Sequence, residues 1–103
     1  MCKAYFYYEV AEENQQEYLE FVSKELKPFF ELQGARSYNI YQETNPDSPT
    51  TFIAEMVFDD LDSMQKTMGQ HGKDPVYDAM VNRFFGFTSD PGVKPLGRYV
   101  KLI

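Results

Sequence analysis

Tryptophan is absent, histidine and cysteine occur once each, and ten Lys and Arg face sixteen Asp and Glu. Each shortage closes off a class of function. One His and one Cys cannot build a zinc site within a chain. Cys2 alone cannot form an intrachain disulfide, so a reducing compartment is expected. A formal charge of −6 without clustered cations opposes binding to a phosphate backbone or an anionic membrane surface, so neither nucleic acid nor membrane is an expected partner. No apolar run nears the roughly 20 residues of a membrane helix, and no positively charged, apolar, small-residue leader is present. The expected location is therefore cytoplasmic. A Gly-rich phosphate loop is also missing, and Ser37, Ser63 and Ser89 lack the context of a nucleophile elbow.

Aromatic residues are plentiful instead. Eight Tyr and nine Phe make up 17% of 103 residues, more than a minimal core of one domain requires, which implies a further buried or paired surface. The chain is organised around Thr51 to Gly69, where a period-two strand pattern passes directly into a helix pattern. Phe52, Ala54, Met56 and Phe58 make one apolar face. Thr51, Ile53, Glu55, Val57 and Asp59 make the other, with the Glu55 carboxylate at its middle. A carboxylate there must find an edge, a partner or a pocket that uses it.

Lys3 to Val10 reads as a strand with its even residues on the drier face. From about Glu12, Tyr18, Phe21, Val22, Leu26, Phe29 and Phe30 recur at three and four, an amphipathic helix with Gly34 suited to its C-terminal end and a kink expected at Pro28. Ala35 to Thr44 alternates again, and Asn45-Pro46-Asp47-Ser48-Pro49 reads as a hairpin connection. Asp59 or Asp60 can cap a helix with Leu61, Met64 and Met68 inward. Asp74-Pro75 starts another, with Val76, Tyr77, Met80, Val81 and Phe84 inward. Thr88 to Leu96 reads as loop and Arg98 to Ile103 as the last strand.

The order β-α-β-β-α-β over 1–103 is that of a single ferredoxin-like α+β domain, a four-stranded antiparallel sheet with two helices on one face and the first and third strands central. The covered face should hold Phe6, Tyr8, Ile40, Phe52, Ala54, Met56, Phe58, Val100 and Leu102. The open face should hold Tyr5, Tyr7, Asn39, Tyr41, Ile53, Glu55, Val57, Tyr99, Lys101 and Ile103. An apolar patch of that size exceeds what a monomer usually exposes, so a homodimer through this face is expected.

The run Gly34-Ala35-Arg36-Ser37-Tyr38-Asn39-Ile40-Tyr41, the Asn45-Pro46-Asp47 turn, and Phe52-Ile53-Ala54-Glu55-Met56-Val57-Phe58 leading to Met64 and Met68 resemble the dimeric α+β barrel superfamily, and within it the antibiotic-biosynthesis-monooxygenase-like group. Members with catalytic roles commonly place a Trp just after the Glu, where this chain has Val57 and Phe58. The haem-degrading branch places a His on the second half of the second helix, where this chain has Met80, Val81 and Asn82, so haem degradation is not implied. The resemblance implies a homodimeric, cofactor-independent oxygenase or isomerase for a small apolar or aromatic ligand, with neither metal nor cofactor. A binding or structural dimer without chemistry is the alternative.

Two residues are candidates for proton transfer. His71 could serve as a general base or proton shuttle, or could simply be a solvated loop residue between Gly69 and Gly72. Glu55 could be a base with a raised pKa, or could be ion-paired with Lys101, Lys3 or Arg98. Tyr8, Tyr38, Met56, Met68 and Tyr77 are the candidate ligand-pocket residues, between helices and sheet. Arg83 and Lys73 could receive an anionic group or simply be solvated.

Overall fold

A computed structural model describes residues 1–103. Four strands, β1 (Cys2–Glu9), β2 (Ser37–Gln42), β3 (Thr51–Phe58) and β4 (Lys94–Val100), form one antiparallel sheet in the order β2-β3-β1-β4. The connections are helical: α1 (Gln15–Phe21) and α2 (Lys27–Gln33) between β1 and β2, then α3 (Leu61–Met68) and α4 (Pro75–Phe85) between β3 and β4. β1 and β3 are central, and the architecture is the expected ferredoxin-like α+β sheet with helices on one face. No helix is long and apolar enough to cross a membrane.

Register accounts for the faces. Cys2 pairs with Phe58, Ala4 with Met56, Phe6 with Ala54 and Tyr8 with Phe52, so the even residues of both central strands point toward the helices. Tyr38 pairs with Met56 and joins the same side. Most of these residues are buried in one cluster with Tyr18, Phe21, Leu26, Phe30, Met64, Tyr77 and Phe84. Burial of that aromatic and aliphatic area is the main favourable term.

The capping chemistry follows the sequence. The Asp60 carboxylate accepts from the Ser63 amide and that of Asp74 from the Val76 and Tyr77 amides, with Pro75 opening α4. Gly34 ends α2 at φ 121°, and a Cβ there would lie 2.9 Å from Thr67 Oγ1.

Four expectations are corrected. The first helix is not interrupted at Pro28 itself. A π-helical turn at Val22–Leu26 precedes it, and Pro28 lies in the first turn of α2. The carbonyl four residues before Pro28 belongs to Lys24, and a wider turn there moves it clear of the ring. Leu61 and Val76 are 46% and 65% exposed rather than inward, because the capped starts of α3 and α4 turn their first residues to solvent. The last strand runs from Lys94 to Val100, not from Arg98 to Ile103. Pro95 is tolerated because β4 is an edge strand. Val100 pairs with Cys2, the first residue of β1, and beyond it only the Lys101 amide finds a partner, the Met1 carbonyl at 2.9 Å, so Lys101, Leu102 and Ile103 lie outside the strand. The expected burial of Val100 and Leu102 is therefore not found: both are exposed.

Candidate functional site

Between the helices and the even face lies a cavity of about 330 Å³. Its floor comes from the sheet, Tyr38 of β2, Ala54 and Met56 of β3, Phe6 of β1, and Pro95 and Arg98 of β4. Its roof comes from Leu26, Phe30, Met68, Tyr77, Val81, Phe84 and Phe85, with His71 contributed by the turn between α3 and α4. Ala54 is the reason there is room, since a methyl group at the centre of a strand leaves unfilled the space a larger side chain would take.

Four of the five expected pocket residues, Tyr38, Met56, Met68 and Tyr77, line this cavity together with His71. Tyr8 does not. Its ring lies behind the cavity wall, edge-on to Phe84 and stacked on Phe52, and its hydroxyl is spent on a hydrogen bond with that of Tyr18. Burial raises the pKa of both hydroxyls, so this pair is a neutral core hydrogen bond.

The cavity is apolar except at a few points. Tyr38 and Tyr77 are only 4% and 5% exposed, yet neither hydroxyl has a hydrogen-bond partner in the protein. No fully buried side-chain oxygen or nitrogen lacks a partner, so both hydroxyl oxygens keep some exposure, and both residues line the cavity. Burial pushes Tyr38 well above the ordinary phenol range and Tyr77 up to about 12, so both are hydrogen-bond donors at neutral pH. The ring of His71 stands edge-on to that of Tyr77, with centroids 6.4 Å apart. Arg98 pairs with Ala4 in the ladder and so shares the covered face.

Glu55 is elsewhere. It pairs with Tyr5 and Asn39 in the ladder and points to the opposite side of the sheet. Its side chain is 8% exposed, enclosed by donors. Oε2 accepts from the Tyr5 hydroxyl at 2.6 Å and meets Lys3 Nζ at 3.4 Å. Oε1 accepts from Asn39 Nδ2 at 3.0 Å and the Tyr41 hydroxyl at 3.1 Å. Burial pushes its pKa up, but the hydrogen bonds from Tyr5, Asn39 and Tyr41 and the Lys3 charge outweigh that and leave it below the ordinary carboxylate value. Of the three cations considered as partners, Lys3 is the one found. Glu55 and His71 thus stand on opposite faces and do not form one catalytic pair.

Arg98 and Phe30 were not among the expected pocket residues. Arg98 carried a usable signal, because it has the even parity of Val100, which was assigned to the covered face. Phe30 was assigned to the core generally, and no sequence pattern separates a cavity wall from solid packing. Arg83, considered for an anionic group, is engaged by Glu25 in a two-bond pair at 2.7 and 2.9 Å and lies over the Phe21 ring.

No family model matches the chain, and no curated protein matches it. Solved structures do. An uncharacterised NIPSNAP domain protein from Burkholderia xenovorans superposes with TM-score 0.73 at 15% identity, over 99% of this chain and 95% of that one. A putative antibiotic biosynthesis monooxygenase from Deinococcus radiodurans gives 0.70 at 13% identity, over 100% and 94%. SnoaB, a cofactor-independent oxygenase from Streptomyces nogalater, gives 0.67 at 14% identity, over 97% and 91%. At such identities the likeness is one of fold, and it establishes that this chain has the ferredoxin-like α+β fold shared by antibiotic-biosynthesis-monooxygenase-like and NIPSNAP structures.

Proposed function

We propose that the chain is a homodimeric enzyme that binds a small aromatic substrate in the cavity of each subunit and oxygenates it without a resident cofactor. The observation that carries this reading is the cavity itself: about 330 Å³, walled by Phe, Met and Tyr, with two unpartnered hydroxyls and one imidazole turned to a common space. Its size falls at the lower end of small-molecule sites. SnoaB lends analogy for the reaction type through a shared fold, which is a weaker support than the site.

His71 takes a proton from an acidic C–H of the bound substrate, and the Tyr38 and Tyr77 hydroxyls stabilise the resulting enolate oxygen by donating hydrogen bonds. Dioxygen is the co-reactant. A ring-flanked CH2 becomes a carbonyl, its C–H bonds supply the electrons, and the second oxygen atom leaves as water. The open sheet face, with Tyr5, Tyr7, Ile53 and Tyr99 around Glu55, is the surface that pairs with a second copy. A lone, buried and unpaired Cys2 suits the reducing cytoplasm, to which we assign the protein.

Binding without chemistry is the second reading, favoured by one observation: the His71 ring has no hydrogen bond to orient it as a base. Oxygen uptake over a panel of benzylic ketones and phenols separates the two. Uptake that falls at least about tenfold in His71→Ala supports the enzyme. Tight binding across the panel with no uptake rejects it in favour of the binding protein.

A further inference from the structure

The polar groups of the cavity sit at its two ends. Tyr38 belongs to one edge strand, β2, and Arg98 to the other, β4. Three inter-strand steps separate them, about 14 Å at about 4.8 Å per step. The floor between is apolar, made by Met56, Ala54 and Phe6.

Charge distinguishes the two ends further. The chain has sixteen carboxylates against ten Lys and Arg, yet no Asp or Glu lines the cavity. Two of the three arginines are occupied, Arg36 by Asp59 at 2.8 Å and Arg83 by Glu25 at 2.7 Å. Arg98 has neither an ion pair nor a side-chain hydrogen bond, and it lies at the cavity. A guanidinium left free beside an apolar slot in an acidic protein is a receptor for a planar anion, which it can grip through two parallel N–H groups.

We propose that the cavity takes an elongated, flat aromatic carboxylate, with its carboxylate on Arg98 and a phenolic or carbonyl oxygen at the far end on the hydroxyls of Tyr38 and Tyr77. This rests on the reading that the cavity binds a small aromatic substrate, and it adds the charge and the orientation. The ring system lies over Ala54, where the floor is lowest. The arrangement selects by length as well as charge, since a single-ring acid held by Arg98 cannot also reach Tyr38.

The test is a fluorescence titration with a hydroxynaphthoic acid bearing its hydroxyl and carboxyl at opposite ends, beside its methyl ester. The acid should bind at least about tenfold more tightly, the scale of one charge-assisted hydrogen-bonded pair. Arg98→Gln should abolish the preference by weakening the acid far more than the ester, and Arg98→Lys should keep part of it. Tyr38→Phe should weaken acid and ester alike. Added salt should erode the preference because Arg98 is exposed. If both probes bind equally, or the preference survives Arg98→Gln, the carboxylate assignment is wrong while the cavity remains a binding site. If neither probe binds, the cavity reading fails and this inference with it.

Discussion

The Tyr5 hydroxyl donates to Glu55 Oε2 at 2.6 Å across the two central strands, on the sheet face opposite the cavity that holds His71. Four donors from β1 and β2 converge on this one carboxylate. A base must be free to accept a proton, and this group has its acceptor sites filled.

Glu55→Gln should therefore act on stability. A buried amide in that position turns an N–H toward one of the four donors, at a cost of about 1–3 kcal/mol at pH 7, read by urea unfolding. The pH dependence has two limbs. The Glu55 pKa is lowered in the folded state, so its contribution is present above the unfolded carboxyl value of 4.5 and is lost as pH falls through the folded one. Tyr5 is raised from 10.0 to about 12, chiefly by its hydrogen bond to Glu55, so its contribution is present below 10.0 and is lost as pH rises toward 12. Tyr5→Phe should shrink the alkaline limb without removing it, because Tyr8, Tyr18, Tyr38, Tyr41 and Tyr77 are raised as well, and an unchanged alkaline limb would disconnect Tyr5 from Glu55.

Alternation made the sheet legible. The even residues of β1 and β3 reach the core as a period of two requires, and capping aspartates with Pro75 mark the helix starts where Asp60 and Asp74 stand. The end of β4 was not legible, because strand length is set by what remains of β1 to pair with, a property of another segment. The side on which Glu55 lies was also readable from parity, and Lys3 was among the cations considered for it, but its hydrogen-bond donors were not legible. Tyr41 and Asn39 reach it only through the β2–β3 register. The cavity was legible as a set of residue types and not as a volume, since Ala54 reads as an ordinary small core residue until its neighbours are placed.

The open face should hold two chains together. Ile53 sits there between Tyr7 and Tyr41 in the ladder and is only half-buried in the single chain. Light scattering should give about 24 kDa, twice the 12.0 kDa chain. Ile53→Asp should shift this to the monomer at micromolar concentration, since an unpaired charge would be buried in the interface. Val57 is a poorer choice for this experiment because it is already buried within one chain. A wild-type monomer at that concentration would reject the interface.

Gly97 and Tyr99 form a second local dependence. Tyr5 pairs with Gly97 and Phe6 with Pro95, which leaves Leu96 as the extra residue of a bulge. Gly97 takes φ 153°, and a Cβ on it would meet the Tyr99 hydroxyl at 2.6 Å. Gly97→Ala should cost about 1–3 kcal/mol through the backbone conformation and the displaced ring together. In the Tyr99→Ala background only the backbone part should remain, so the double mutant should be less destabilised than the sum of the two single mutants. Strict additivity would mean that the ring moves away freely.

Cavity filling gives the sharpest contrast between empty space and packed core. Val81 lines the cavity from α4 and is half-buried, whereas Val22 opens the π-helical turn, is buried in the cluster and lines no part of the cavity. The same exchange at the two positions adds the same volume to different surroundings. Val22→Phe must push aside close-packed neighbours and should lose about 1–3 kcal/mol. Val81→Phe has about 330 Å³ to expand into, so its stability should change by less than about 1 kcal/mol while affinity for a hydroxynaphthalene probe falls at least tenfold. Equal destabilisation by the two substitutions would mean that the space beside Val81 closes up in solution. Unaltered probe binding in Val81→Phe would mean that the aromatic ligand occupies some other part of the molecule.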